Sequence, residues 1–82
     1  MKKRKLLLKV MAGAHNVRFA ELCGLAEAFG YRLDRVNGSH HIFEHSSTNR
    51  PLNLQNVAGK AKAYQVRQFL REIEEFHLTL EE

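Results

Sequence analysis

Between positions 37 and 43 the chain reads Asn-Gly-Ser-His-His-Ile-Phe, and His45 follows two residues later. An imidazole with its ordinary pKa near ~6.5 can move a proton at neutral pH, hold a metal or fasten a turn. His40, His41 and His45 look like a metal-binding cluster. Neighbouring side chains on a strand point to opposite faces, so His40 and His41 cannot share an ion. His41 and His45 share a face but stand about 13 Å apart at ~3.3 Å per residue. Zinc holds each ligand at ~2 Å and cannot span that gap. No cysteine pair or Glu-x-x-His spacing adds ligands, so neither a metal nor a cofactor is expected.

Carboxylates offer little more. Before the C-terminal tail the chain has only Glu21, Glu27, Asp34 and Glu44, and nothing in their spacing pairs them around magnesium ions. A glycine-rich phosphate cradle, a nucleophile elbow and a redox cysteine pair are all missing from the sequence. What survives is one imidazole among lysines and arginines. RNA carries its own nucleophile, the 2′-hydroxyl, so a proton carrier near neutral pH and a cationic surface are enough to cut it. DNA would need an activated water, usually supplied by a metal. His40 is thus either a catalyst acting on RNA or an ordinary surface or cap histidine. His15 and His77 are read as structural or surface groups.

Charge favours a polyanionic partner. Residues 1–71 carry all 13 Lys and Arg against four acids, a net +9, whereas residues 72–82 carry five Glu and no base. A cationic surface gains affinity for phosphate backbones by releasing their counterions. The 82 residues, 44% of them hydrophobic, suit one domain with one core. No apolar run approaches the ~20 residues of a membrane span, and the chain is expected to be cytoplasmic. The single cysteine, Cys23, falls on an apolar helix face, where a reduced thiol packs like a small hydrophobe.

These groups need elements to position them. Residues 5–11 predict a short helix that breaks near Gly13. From Arg18 to Phe29, apolar residues recur at three- and four-residue spacings, and Gly30 stands where a left-handed cap belongs. Residues 31–36 alternate Tyr31, Leu33 and Arg35 against Arg32, Asp34 and Val36, and Asn37-Gly38 then signals a hairpin. A second strand over about 39–45 fades into a polar loop ending at Pro51. "LNLQNV" alternates as a third strand, and from about Ala63 the stripe Val66, Phe69, Leu70, Ile73, Phe76 marks the last helix. The expected architecture is α+β: a three-stranded antiparallel sheet, two long helices on one face, a short N-terminal helix, and the other face left for solvent or a ligand.

In this order and spacing the residues resemble a known family. The stretch "FAELCGLAEAFGYRLDRVNGSHHIFEH", continuing through "LNLQN" to "GKAKAYQVRQFLREIEEF", is similar to the HicA family of bacterial toxins over about residues 17–78, with 1–16 as an extension. The most specific part is Gly38-Ser39-His40 followed by Phe43; Gly30-Tyr31 and "YQVRQFL" add to it. The resemblance implies a double-stranded-RNA-binding-domain-like fold and metal-independent cleavage of messenger RNA. It implies His40 as the catalytic histidine, with Gly38 keeping the turn tight and Ser39 shaping the site. A HicB-like antitoxin is the implied protein partner, blocking the active face; DNA is met only through the toxin–antitoxin complex. Lys60 matches a family position, and Lys62 and Arg35 are assigned with it to RNA contact. His41, on the opposite face, is not carried over as catalytic: it either meets the antitoxin or simply decorates the sheet.

Two departures from the family pattern stand out. Relatives often continue the second strand into a His-Pro turn, whereas here Ser46 follows His45 and proline waits until Pro51, which suggests a more flexible loop. Alanine stands at position 63 where many relatives have proline, and alanine suits a helix. The basic start, "MKKRK", is either an RNA-steering arm or a disordered terminus. Two other function classes fit the same residues: a non-catalytic RNA-binding module and a protein-docking domain.

Overall fold

In the computed structural model, which describes residues 2–81, the chain runs α1 (Lys2–Ala12), α2 (Phe19–Ala28), β1 (Arg32–Asn37), β2 (His40–Glu44), β3 (Leu52–Val57), β4 (Lys60–Ala61) and α3 (Ala63–Glu75). Met1, at the head of the basic start, and Glu82, in the acidic tail, lie outside the described residues. The α+β architecture expected from the pattern is the one observed, and it resembles the small double-stranded-RNA-binding-domain fold.

The N-terminal helix is longer than its predicted span of 5–11. Residues 2–5 form its first turn and are not a disordered terminus. Lys, Arg and Leu favour helix, and burial anchors it: Val10 is 1% exposed, and Leu6 and Leu7 pack beside it against the core. No helix among the described residues is long and apolar enough to cross a membrane.

Both later helices stop in the same way. Gly30, at φ 95°, donates its N–H to the Glu27 carbonyl, and the Tyr31 N–H reaches back to Ala26. At the end of α3, His77 takes the left-handed position at φ 54°, and the Leu78 N–H reaches Ile73. Each is a Schellman closure that satisfies orphaned carbonyls.

The sheet order is β1-β2-β3-β4, antiparallel throughout, so the expected three-stranded sheet has a fourth, two-residue strand. Ala58 and Gly59, at φ 51° and 83°, turn the chain back after β3. Lys60 then pairs with Val57 and bridges to Arg18. A two-residue strand shows no alternation, which is why the pattern did not reveal it.

One face of the sheet is covered and the other open. Phe43, Leu52 and Leu54 meet Leu22 and Leu25 of α2, Phe29 just after it, and Val66 and Phe69 of α3 in one core, each such side chain contributing about 1.5–3 kcal/mol on burial. His41 lies on this covered side, its ring edge-on to Phe19 at 4.8 Å. It packs under α2 and is not a surface decoration, and its Nδ1 is buried without a hydrogen-bond partner among the described residues. Strand alternation therefore sends His40 to the open face.

The loop between β2 and β3 is fastened rather than loose. The Ser47 N–H donates to His45 Nδ1 at 2.9 Å, which leaves Nε2–H to donate to the Phe29 carbonyl at 2.9 Å. At its far end the Arg50 guanidinium pairs with Glu75 at 2.9 Å and lies over the Phe76 ring. Arg50 Nε also stands 3.2 Å from Glu72 Oε2, close enough for an ion pair but not aligned for a hydrogen bond. Glu72 is fully buried and accepts from Tyr31 Oη at 2.7 Å. Burial first, and then this hydrogen bond, holds the Tyr31 phenol well above its ordinary range.

Candidate active site on the open sheet face

Residue pairing decides which side chains share the open face, because directly opposed residues of antiparallel strands project together. His40 stands opposite Asn37 on β1 and Gln55 on β3. Ile42 stands opposite Arg35 and Asn53. At the far edge, the Lys60–Val57 and Lys60–Arg18 pairs continue the same face.

The hairpin that presents His40 turns one residue later than the Asn37-Gly38 signal suggested. Asn37 pairs with His40, so the turn residues are Gly38 and Ser39, and only Gly38, at φ 64°, has positive φ. Glycine at the first turn position of a two-residue hairpin is the II′ pattern. The shift brings Ser39 beside the face, where its Oγ accepts from Gln55 Nε2 at 3.3 Å. His40 itself is half-buried, and its Nδ1 lies 3.0 Å from Asn53 Oδ1.

Arg35 reaches this face through an irregularity. Simple alternation groups Arg35 with Leu33, which stands opposite the core residue Phe43. The ladder slips at Asp34, an extra residue without a partner on β2, and Arg35 pairs with Ile42 instead. Such a bulge re-aims the side chains that follow it. At strand spacings of ~4.8 Å and ~3.3 Å per residue, the Arg35 Cα lies about 8 Å from that of His40 and the Lys60 Cα about 12 Å away on the other side. Lys60 Nζ meets Asn16 Oδ1 at 3.2 Å. Lys62 departs from this group: it occupies the position just before α3 without a side-chain capping bond, its Nζ 5.8 Å from the Tyr64 ring centroid. Among the described residues no group of three or more His, Cys, Asp or Glu is gathered for a metal ion.

The covered face supports an unreactive Cys23. Burial, with Glu27 nearby, pushes its thiol up to about 11, so almost none is thiolate at neutral pH.

The His40 hairpin and the helices behind it lie inside the part of the chain that matches a known family, the HicA toxin of bacterial toxin-antitoxin, over residues 19–74. The chain belongs to the HicA toxin family. Its counterpart is therefore an antitoxin. The match begins at the first residue of α2 and leaves α1 outside, although this HicA toxin uses Val10 of α1 in its core. No curated protein and no solved structure matches the chain.

Three residues of this face escaped the sequence reading. Asn53 and Gln55 were visible as the polar side of "LNLQNV", but only the register with β2 shows that they flank His40. Arg18 reads as a helix start, and its bridge to Lys60 has no local signal.

Proposed function

We propose that this HicA toxin is a metal-independent endoribonuclease that cuts messenger RNA in the cytoplasm through His40 and is silenced by a HicB-like antitoxin on the same face. The observation that carries the reading is the position of His40 on the uncovered side of the sheet, between Arg35 on one flank and Lys60 and Arg18 on the other. A phosphodiester lying across that face meets cations on both sides of one imidazole, an arrangement suited to proton transfer with stabilisation of phosphate charge. Gly38 and Ser39 set the turn that presents the ring, and Lys62 extends the cationic margin toward α3.

The chemistry is internal transesterification. The 2′-oxygen bonds to phosphorus as the bond from phosphorus to the 5′-oxygen breaks, leaving a cyclic phosphate and a free 5′-hydroxyl. The proton lost by the 2′-hydroxyl and the proton gained by the leaving oxygen are the imidazole's business, with His40 acting as general base or general acid.

The test is incubation of purified protein with RNA in EDTA, wild type beside His40→Ala. Cleavage with a cyclic phosphate end, lost in the variant while its fold persists, is the expected result. RNA binding without cleavage in either protein replaces this reading with a non-catalytic binding module. Cleavage that EDTA abolishes, or that leaves a 5′-phosphate, overturns the mechanism.

A further inference from the structure

We propose that Asn53 is the positioning residue that fixes His40 in its Nδ1–H form, so that the Nε2 lone pair is the general base toward the 2′-hydroxyl. This rests on the nuclease reading above and settles the choice that reading left between base and acid.

The geometry begins with the register. Asn53 stands opposite Ile42, two residues along β2 from His40, and both side chains project from the open face. Asn53 Oδ1 lies 3.0 Å from His40 Nδ1. A carbonyl oxygen only accepts, so the contact requires a proton on Nδ1. Neutral imidazole has one N–H, which leaves Nε2 with its lone pair. Among the described residues Nε2 has no hydrogen-bond partner, and the open face is where substrate would lie. His45 shows the opposite form in the same chain: Ser47 donates to its Nδ1 and its Nε2–H points at the Phe29 carbonyl. Each ring is set by its neighbour.

The neutral character of Asn53 matters as much as its position. A carboxylate at this place would also hold Nδ1–H but would favour imidazolium, which is no base. An amide selects the form without charging the ring. The charged groups sharing the face are Arg32 and Arg35 on β1, Glu44 on β2, Lys60 on β4 and Arg18 beyond it, and β3 contributes no charge, only the amides of Asn53 and Gln55 beside the apolar Val57. In the step that follows, Nε2 takes the 2′-hydroxyl proton as the 2′-oxygen bonds to phosphorus. The departing 5′-oxygen takes a proton from water, and the hydroxide so formed recovers the proton from Nε2–H. Nδ1–H stays on Asn53 throughout.

The test has two arms. Nitrogen-15 shifts of the His40 ring, measured on wild-type protein near roughly pH 8, where an ordinary imidazole is neutral, are expected to show a protonated Nδ1 and a bare Nε2. A protonated Nε2, the form an Asn53 amide turned end for end would select, overturns the proposal. In RNA cleavage, Asn53→Leu is expected to lower kcat about 3- to 10-fold with KM unchanged, the worth of one hydrogen bond. Asn53→Asp is expected to move the acid limb of the pH–rate profile to higher pH and to regain wild-type kcat above it. Equal losses in both variants with an unmoved profile describe a merely structural role and overturn the assignment. Wild-type protein that cuts no RNA removes the nuclease reading, while the nitrogen shifts still decide the form of the ring.

Discussion

Arg35 stands directly opposite Ile42, on the His40 face of the sheet, because Asp34 bulges out of the ladder just before it. If Arg35 contacts RNA phosphate there, Arg35→Ala weakens binding to all sequences alike. It also lowers the slope of log affinity against log salt by about 0.7, the value for one single-strand phosphate contact. Deleting Asp34 is the informative contrast. It restores regular pairing with Arg35 still facing outward, and it removes the carboxylate that pairs with Arg35, so affinity is expected not to fall. Filter-binding titrations over a salt series measure both. A slope that is unchanged in Arg35→Ala removes this residue from the interface.

Tyr31 and Glu72 form the buried end of the network that fastens the loop between β2 and β3. Tyr31→Phe strips the fully buried Glu72 carboxylate of its aligned donor, leaving only the misaligned Arg50, and is expected to cost about 1–3 kcal/mol. A urea titration should show a lower midpoint with the slope unchanged. The pH dependence has a definite sign. The folded state holds the phenol proton above the ordinary value of 10.0, so between that value and the folded one the unfolded chain binds fewer protons. Stability from this group is complete below about pH 10 and lost as pH rises above it. The wild-type minus Tyr31→Phe difference in stability should therefore shrink on the alkaline side and stay constant below it.

How much of this was legible in the sequence depends on whether a signal was local. The Gly30 cap, the alternation of residues 52–57 and the stripe of the last helix are properties of neighbouring residues, and each appears at its predicted place. The opposite facing of His40 and His41 follows from period two alone. Pairing was not legible: the bulge at Asp34, the turn displaced to Gly38-Ser39, the Arg18–Lys60 bridge and the approach of Asn53 to His40 all depend on registers between separate segments. The order of the loop between β2 and β3 was not legible for the same reason. Its hold comes from Glu72 and Glu75, more than twenty residues further along.

Cys23 offers a chemical check on the covered face. Its thiol is pushed from 9.0 up to about 11 by burial and then by Glu27, which lowers the thiolate fraction at neutral pH about 100-fold relative to an unperturbed cysteine. Alkylation of the folded protein should therefore be slower than that of the urea-unfolded chain, although the greater nucleophilicity of a high-pKa thiolate recovers part of the loss. Equal rates would mean that α2 leaves the thiol open to solvent.

Gly30 and His45 constrain each other. A Cβ built on Gly30 would lie 2.9 Å from His45 Nε2, and the backbone there holds φ 95°. Gly30→Ala therefore strains the backbone and displaces the imidazole that donates to Phe29, at an expected cost of roughly 1–3 kcal/mol. The two contributions separate in a double-mutant cycle. His45→Ala alone loses the hydrogen bonds to Phe29 and Ser47. Combined with Gly30→Ala, it also removes the group the new methyl would strike. The double variant should be more stable than the sum of the single losses predicts, by roughly 0.5–3 kcal/mol. If the losses simply add, the cost at Gly30 lies in the backbone alone, and His45 has room to yield.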